Sequence, residues 1–291
     1  MAQTCIIRLF DPWKNSLCTC PVKYSFDPYT GCSHRCLYCY ASSYIKDFYN
    51  CRPKKNLLGT VKKDLEKLPK NAIISMSNSS DPYPHLEKEF KLTRRCLEEF
   101  RKYPVRLLII TKSDMVVRDI DLLREIGAAV TISITTLDDS LARKIEPSAP
   151  SPSRRIQALA KLSEEDVNTG LRLDPIIPFV NDDGFRELLV EARDAGVKHV
   201  VSSTFKPRFD SWKRTIQAFP ELEESLKKLY IMKGERIGRS IYLEKNIRLK
   251  IMRQVAEECI KLGLSFATCR EGFPELHTSP TCDGSHLIKI R

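Results

Sequence analysis

Val105-Arg106-Leu107-Leu108-Ile109-Ile110-Thr111 carries four large apolar residues in a row, so no alternation separates a wet face from a dry one. A strand of that composition is covered on both sides, as in a parallel sheet wrapped by helices. Similar short, β-branched runs flank it. They predict strands over 23–27, 72–77, 105–111, 129–135, 171–177, 199–204 and 264–268. Helix-like segments separate them over 56–68, 92–103, 120–126, 153–163 and 184–195, with a long helical region from 211 to 262. Strands alternating with helices imply right-handed crossovers and an α/β fold with a parallel sheet. Six or seven such units fit an open doubly wound sheet or a barrel, and both place function at the carboxyl ends of the strands. Polar residues gather there: Ser79-Ser80-Asp81-Pro82-Tyr83 after the second strand, Lys112-Ser113-Asp114 after the third, and Pro175-Ile176-Ile177-Pro178 at the close of the fifth. The Pro-Ser-Ala-Pro-Ser-Pro stretch at 147–152 is too short a loop to divide the chain. Residues 1–291 are therefore expected to form one domain, with a core over about 20–205 and a C-terminal extension over about 206–291.

Composition narrows the class. No apolar run reaches the roughly 18 residues of a membrane helix, and the first residues lack a secretory signal's apolar core. A soluble, cytoplasmic protein is expected. Eleven cysteines in such a compartment point to metal or redox chemistry rather than structural disulfides. Seven lie within residues 5–51 and three within 259–282; Cys96 stands alone in a helix-like context and reads as core. The net charge of +11 favours polyanionic partners. Residues 227–253 hold nine Lys or Arg against two acids, with Tyr230 and Tyr242 between them, a pattern of either a solvated helix face or a surface turned to nucleic acid.

Gly31-Cys32-Ser33-His34-Arg35-Cys36-Leu37-Tyr38-Cys39-Tyr40 places three thiols on one tight loop. Cuboidal [4Fe–4S] clusters are normally held by four thiolates, so three leave one iron open. Zinc is the chemical rival, and would need a fourth ligand such as His34 or Cys51.

This spacing after the first strand, with an aromatic residue before the last cysteine, resembles the radical S-adenosylmethionine superfamily. The run Asp27-Pro28-Tyr29-Thr30-Gly31-Cys32, then Cys39-Tyr40-Ala41, Ser80-Asp81-Pro82-Tyr83, Leu92-Thr93-Arg94, Thr111-Lys112-Ser113-Asp114 and Pro175-Ile176-Ile177-Pro178 resemble its spore photoproduct lyase-like branch, over about residues 20–180. The resemblance implies a partial (β/α)6 TIM-type barrel with a C-terminal helical and strand extension. It implies a [4Fe–4S] cluster on Cys32, Cys36 and Cys39, whose open iron is chelated by S-adenosylmethionine. One electron, from a reductant such as ferredoxin or flavodoxin, then yields a 5′-deoxyadenosyl radical that abstracts a hydrogen from the substrate. Tyr38 and Tyr40 are expected against the cluster and the adenosyl group, and Ser80, Lys112 and Ser133 on the cofactor. Asp81 reads as a turn cap rather than a catalytic group. One departure stands out: where thymine-dimer repair lyases carry a hydrogen-donating cysteine, two residues before the matched serine, this chain has Asn78. A different net reaction follows, with no catalytic acid or base legible.

Cys18, Cys20, Cys269 and Cys282 form a second set, which the meeting ends of a barrel could gather into an auxiliary [4Fe–4S] or zinc site, with His277 as a substitute ligand. The leading expectation is a radical enzyme, lyase-like or transferase-like, acting on DNA or RNA. The alternatives are a radical enzyme acting on a protein or small metabolite, and a zinc-stabilised nucleic-acid-binding module without turnover.

Overall fold

The computed structural model describes residues 5–10 and 15–290. Its centre is one eight-stranded sheet whose strands lie in chain order: β1 (Arg8–Leu9), β2 (Tyr24–Phe26), β3 (Ile73–Met76), β4 (Arg106–Thr111), β5 (Ala129–Ser133), β6 (Asn168–Ile176), β7 (His199–Thr204) and β8 (Ser265–Thr268). β1 pairs antiparallel to β2; every other pairing is parallel. Among the described residues no pairing joins β2 to β8, so the sheet is an open, partial barrel. The crossovers are helices α1 (Leu57–Leu65), α2 (Leu92–Phe100), α3 (Ile120–Ile126), α4 (Asp139–Ile145), α5 (Pro152–Glu164), α6 (Phe185–Asp194), α7 (Phe209–Ala218) and α8 (Lys245–Lys261).

The all-apolar strand behaves as its composition demands. Leu107 and Ile109 pack into the main core with the helices, while Leu108 packs with Ala129 and Ile288 inside the barrel, all fully or nearly fully buried. The end of the chain supplies that inner plug. Arg106 donates to the Ser285 carbonyl, Asn168 to that of Leu287, and the Lys289 amide to that of Gly127. Those contacts lie at the amino ends of β4, β6 and β5, which leaves the carboxyl ends open for a site. Local signals set the helix limits: Ser151 caps α5 with Pro152 in its first turn, and Gly127, at φ 69°, ends α3.

Three expectations need correction. The fifth predicted strand begins at Asn168 rather than 171. The helical region expected over 211–262 is broken into α7, a short turn of helix (Glu223–Lys227), a π-type turn (Lys228–Met232), an antiparallel hairpin (Glu235–Ile237 with Ser240–Tyr242) and α8. Glycine is the cause. A Cβ on Gly234 would lie 2.1 Å from the Tyr230 carbonyl oxygen, and Gly238 turns the hairpin at φ 61°. Within that segment Tyr230 and Tyr242 are core residues, each about 1% exposed, so they form no part of a stacking surface.

Candidate metal and cofactor site

The three-cysteine loop leaves β2 and is fixed from several directions. Gly31 sits at φ 79°, and a Cβ there would meet the Phe48 carbonyl oxygen at 2.4 Å, so the position admits only glycine. The next amide, of Cys32, donates to that same carbonyl at 2.8 Å. The Leu37 amide donates to Ile145 at the end of α4, and Arg214 of α7 donates to the Leu37 and Cys39 carbonyls at 3.0 and 2.7 Å. The loop is thereby held before any ligand arrives.

All three thiols line one cavity of about 620 Å³ at the carboxyl ends of the strands. Tyr38, Tyr40, Ser80, Lys112 and Ser133 line it too, as do Cys18, Cys20, Cys269 and Cys282. His277 and Cys51 do not; His277 bonds to Thr268 instead. Burial pushes the three loop thiols up, Cys36 to about 12, so they are protonated until a metal displaces their protons. Among the described residues no three His, Cys, Asp or Glu side chains gather closely enough for one ion. Thiols that share a cavity without meeting at a point suit a cluster, in which each sulfur holds its own iron, better than a single zinc closed by His34 or Cys51. His34 is also engaged: its Nε2 lies 3.2 Å from Asp81.

The polar residues divide into those already satisfied and those waiting. The Ser80 hydroxyl is buried in the cavity wall with no hydrogen-bond partner, a position suited to a bound polar group. Lys112 is sequestered rather than waving in solvent. Its ammonium lies 5.4 Å over the Tyr38 ring and 3.9 Å from Glu146. Glu146 also accepts from the Tyr38 hydroxyl and from Thr135, and pairs at 2.5 Å with Arg155, which itself donates to the Ser133 and Pro150 carbonyls. Neither Glu146 nor Arg155 was expected at the site. The signal for Arg155 was its place in the buried stripe Arg155, Ala158, Leu159, Leu162 of α5, where a charge needs a partner. A parallel hub, Glu271 with Lys206 (2.6 Å) and Arg248 (3.2 Å), supports the opposite wall.

Asp81 caps the turn to Tyr83 as expected and does more. It accepts from the Tyr83 amide, the Thr111 hydroxyl and the Lys112 amide, joining the β3 and β4 loops to His34. Burial alone would raise its carboxyl; His34 and these hydrogen bonds outweigh it and hold it at about 2. A carboxyl depressed in the folded state contributes stability above its ordinary value of 3.8 and loses it as pH falls through about 2. Asp81→Asn is expected to cost roughly 2 kcal/mol near neutrality, a deficit that shrinks below pH 3.8; thermal melts of both proteins from pH 7 downward check it. Asn78, at the departure from the repair lyases, is fully engaged, donating to the Ser25 hydroxyl and the Ser75 carbonyl at 2.8 Å each.

An open parallel barrel, with a three-thiol loop facing a cavity that also holds Ser80, Lys112 and Ser133 at its strand ends, delimits the class. The family model described as the radical SAM superfamily matches residues 26–192, more than half the chain, and the protein belongs to that superfamily. Use of a [4Fe–4S] cluster and S-adenosylmethionine is general to that family. An uncharacterised protein of Methanocaldococcus jannaschii is 39% identical over 165 residues, covering 55% of this chain and 62% of that relative, so the match spans less than two thirds of it. A Pseudomonas phage M6 protein named radical SAM Nalpha-GlyT isomerase is 23% identical over 257 residues, 84% of this chain and 53% of its own. The structure of spore photoproduct lyase complexed with dinucleoside spore photoproduct superposes with a TM-score of 0.68 at 17% identity, over 92% of this chain and 81% of that one, a likeness of fold. No helix among the described residues is long and apolar enough to cross a membrane.

Proposed function

We propose that the protein holds a [4Fe–4S] cluster through Cys32, Cys36 and Cys39, binds S-adenosylmethionine beside it, and acts on a nucleic-acid substrate. The observation that carries the reading is the shared cavity, into which the three thiols and all five expected cofactor residues open. When bound, the cluster and S-adenosylmethionine together supply radical chemistry, reduction coming from a ferredoxin or flavodoxin. The chain's own work is placement. Tyr38 and Tyr40 wall the thiols, the Ser80 and Ser133 hydroxyls and Lys112 offer donors to the amino-acid and ribose parts of the cofactor, and the closed amino end of the barrel keeps water out. Asn78, already committed to Ser25 and Ser75, stands where the repair lyases carry a hydrogen-donating cysteine, and an amide donates no hydrogen atom to a substrate radical, so the proposed reaction is not thymine-dimer repair through that position.

The rim supports the substrate class. Seven of the nine cations in 227–253 are exposed, Arg236 and Arg239 among them on the hairpin, which pairs with Pro207 beside the cavity. Phe209, at the start of α7, is 88% exposed. Next to it Arg208 stacks over Tyr40 and Tyr44, at 5.4 and 5.6 Å from the ring centroids. An exposed ring next to an arginine that stacks on two cavity-lining tyrosines is the kind of surface an unpaired base stacks on. The lyase bound to a dinucleoside photoproduct, whose fold this chain shares, favours the same class.

The enzyme part is tested by reducing the anaerobically reconstituted protein with S-adenosylmethionine and measuring 5′-deoxyadenosine; none formed rejects it. For the substrate part, single-stranded DNA and RNA are titrated across a salt series. Phe209→Ala is expected to weaken binding about tenfold, about 1.4 kcal/mol, within the roughly 1–3 kcal/mol of one lost base stack. Arg236→Ala with Arg239→Ala lowers the log–log salt slope by about 1.4, at about 0.7 per single-strand phosphate contact. Binding that is absent, or independent of salt, moves the substrate to a peptide or small metabolite.

A further inference from the structure

We propose that Cys18, Cys20, Cys269 and Cys282 form a second metal centre, an all-thiolate site that bridges the open side of the barrel and takes an iron–sulfur cluster or zinc.

The sequence separates these residues by some 250 positions, and the fold brings them back together. Cys18 and Cys20 precede β2, Cys269 follows β8, and Cys282 lies in the segment that returns to plug the barrel. β2 and β8 stand at the two ends of the parallel run, and among the described residues no pairing joins them. All four thiols line the same cavity wall. The Cys282 and Cys20 sulfurs are 3.5 Å apart, and Cys18 stands two residues before Cys20. Tetrahedral thiolates at a zinc–sulfur distance of about 2.3 Å stand roughly 3.8 Å apart, so the first contact is already of ligand spacing.

The surroundings are built for thiolate. Four thiolates around a divalent core leave a net negative charge, and two cations border the set, Lys23 buried and Arg172 half-buried. Lys23 is bound to Asp283 at 2.5 Å, and Arg172 lies 3.8 Å from the Cys269 sulfur. Packing fixes both ends: His199 accompanies the Cys282 carbonyl at 3.4 Å, and Gly272 leaves room that a Cβ would lose against Leu17 at 2.8 Å. All four cysteines are free of disulfide bonds. Among the described residues no three ligands converge as tightly as one ion requires, so metal entry draws Cys18 and Cys269 inward or fills the wider set with a cluster. With four protein sulfurs the centre has no open position. It clamps the two edges of the sheet and forms part of the cavity wall.

This site is independent of the three-cysteine loop, and so is its test. The full-length protein is purified anaerobically as the Cys32→Ala, Cys36→Ala, Cys39→Ala variant, then supplied with iron and sulfide, or with zinc. The variant is expected to retain iron with sulfide at about half the fully loaded level, or about one zinc per chain; the metal retained identifies the filling. Adding Cys18→Ser and Cys20→Ser removes it. As a check that needs no variant, the loaded wild-type chain is alkylated with and without chelator. Metal is expected to protect Cys18, Cys20, Cys269 and Cys282 together while the exposed Cys5 reacts in both. A triple variant free of iron and zinc, or alkylation of the four cysteines unchanged by metal, overturns the proposal.

Discussion

With Cys32, Cys36 and Cys39 all replaced by alanine, the protein folds, carries no iron on that loop, and releases no 5′-deoxyadenosine from S-adenosylmethionine. The fold survives because the loop does not depend on its sulfurs. Its conformation rests on Gly31 against Phe48, on the Leu37 amide bonded to Ile145, and on the Arg214 clamp. Each lost thiol removes a small apolar volume, a cost of about 1 kcal/mol. Activity has no such reserve. A cluster on three protein sulfurs that loses one has an under-ligated second iron. Single alanine variants are therefore expected to lose at least about a thousandfold in turnover, beyond the ten- to hundredfold typical of changes outside the ligand shell. Arg214→Ala belongs to that milder class, since it frees two loop carbonyls without touching a sulfur. Iron and sulfide content, visible absorption and 5′-deoxyadenosine yield measure these together. Full iron in the triple variant with all activity retained would place the cluster elsewhere.

What the sequence made legible follows from which forces act locally. Buried parallel strands announce themselves because both faces exclude water, and six of the seven expected runs fall within two residues of the observed strands. Helices with a clear apolar stripe, such as Ile120–Ile126, are equally visible. The hairpin within 211–262 was hidden because its flanking residues have helical propensity, and only the backbone freedom of Gly234 and Gly238 breaks the pattern. β1, at two residues, is too short to show a period, and α4, though as long as Ile120–Ile126, buries only Ala142 and Ile145 and so carries no clear stripe. At the site, residues that open into the cavity were found by motif and strand-end position. Glu146, Arg155, Glu271 and Arg248 were not, because their role is to satisfy other charges across elements far apart in sequence. The trace they leave is a charge in a buried stripe: Arg155 ahead of Ala158, Leu159 and Leu162, and Arg248 ahead of Met252, Val255 and Ala256.

That trace gives the second large effect. Glu146 faces two cations, Lys112 and Arg155, and the Tyr38 hydroxyl besides, and it is about 2% exposed. Burial alone would raise its carboxyl, but Arg155 and Lys112 outweigh that and lower it, so Glu146 is ionised wherever the fold is stable. Glu146→Ala strands a guanidinium that is 1% exposed, and is expected to cost about 3–5 kcal/mol of stability, the range for breaking a buried pair from one side. Removing both charges is cheaper, because what costs most is the unpaired ion rather than the loss of the pair. Glu146→Leu with Arg155→Met is expected to recover more than half the deficit, and the double-mutant cycle to give a coupling of about 2 kcal/mol or more. Function separates the partners. In Glu146→Gln the amide keeps a contact to Tyr38 but no longer neutralises Lys112, whose ammonium then turns from the carboxylate into the cavity. If Lys112 serves the methionyl carboxylate, S-adenosylmethionine affinity holds or rises in Glu146→Gln while stability falls, and Lys112→Met loses affinity with little change in melting temperature. Titration calorimetry beside thermal melts reads both axes. Parallel loss of affinity and stability in every variant would make this cluster a pillar of the barrel and leave recognition of the cofactor to the serines.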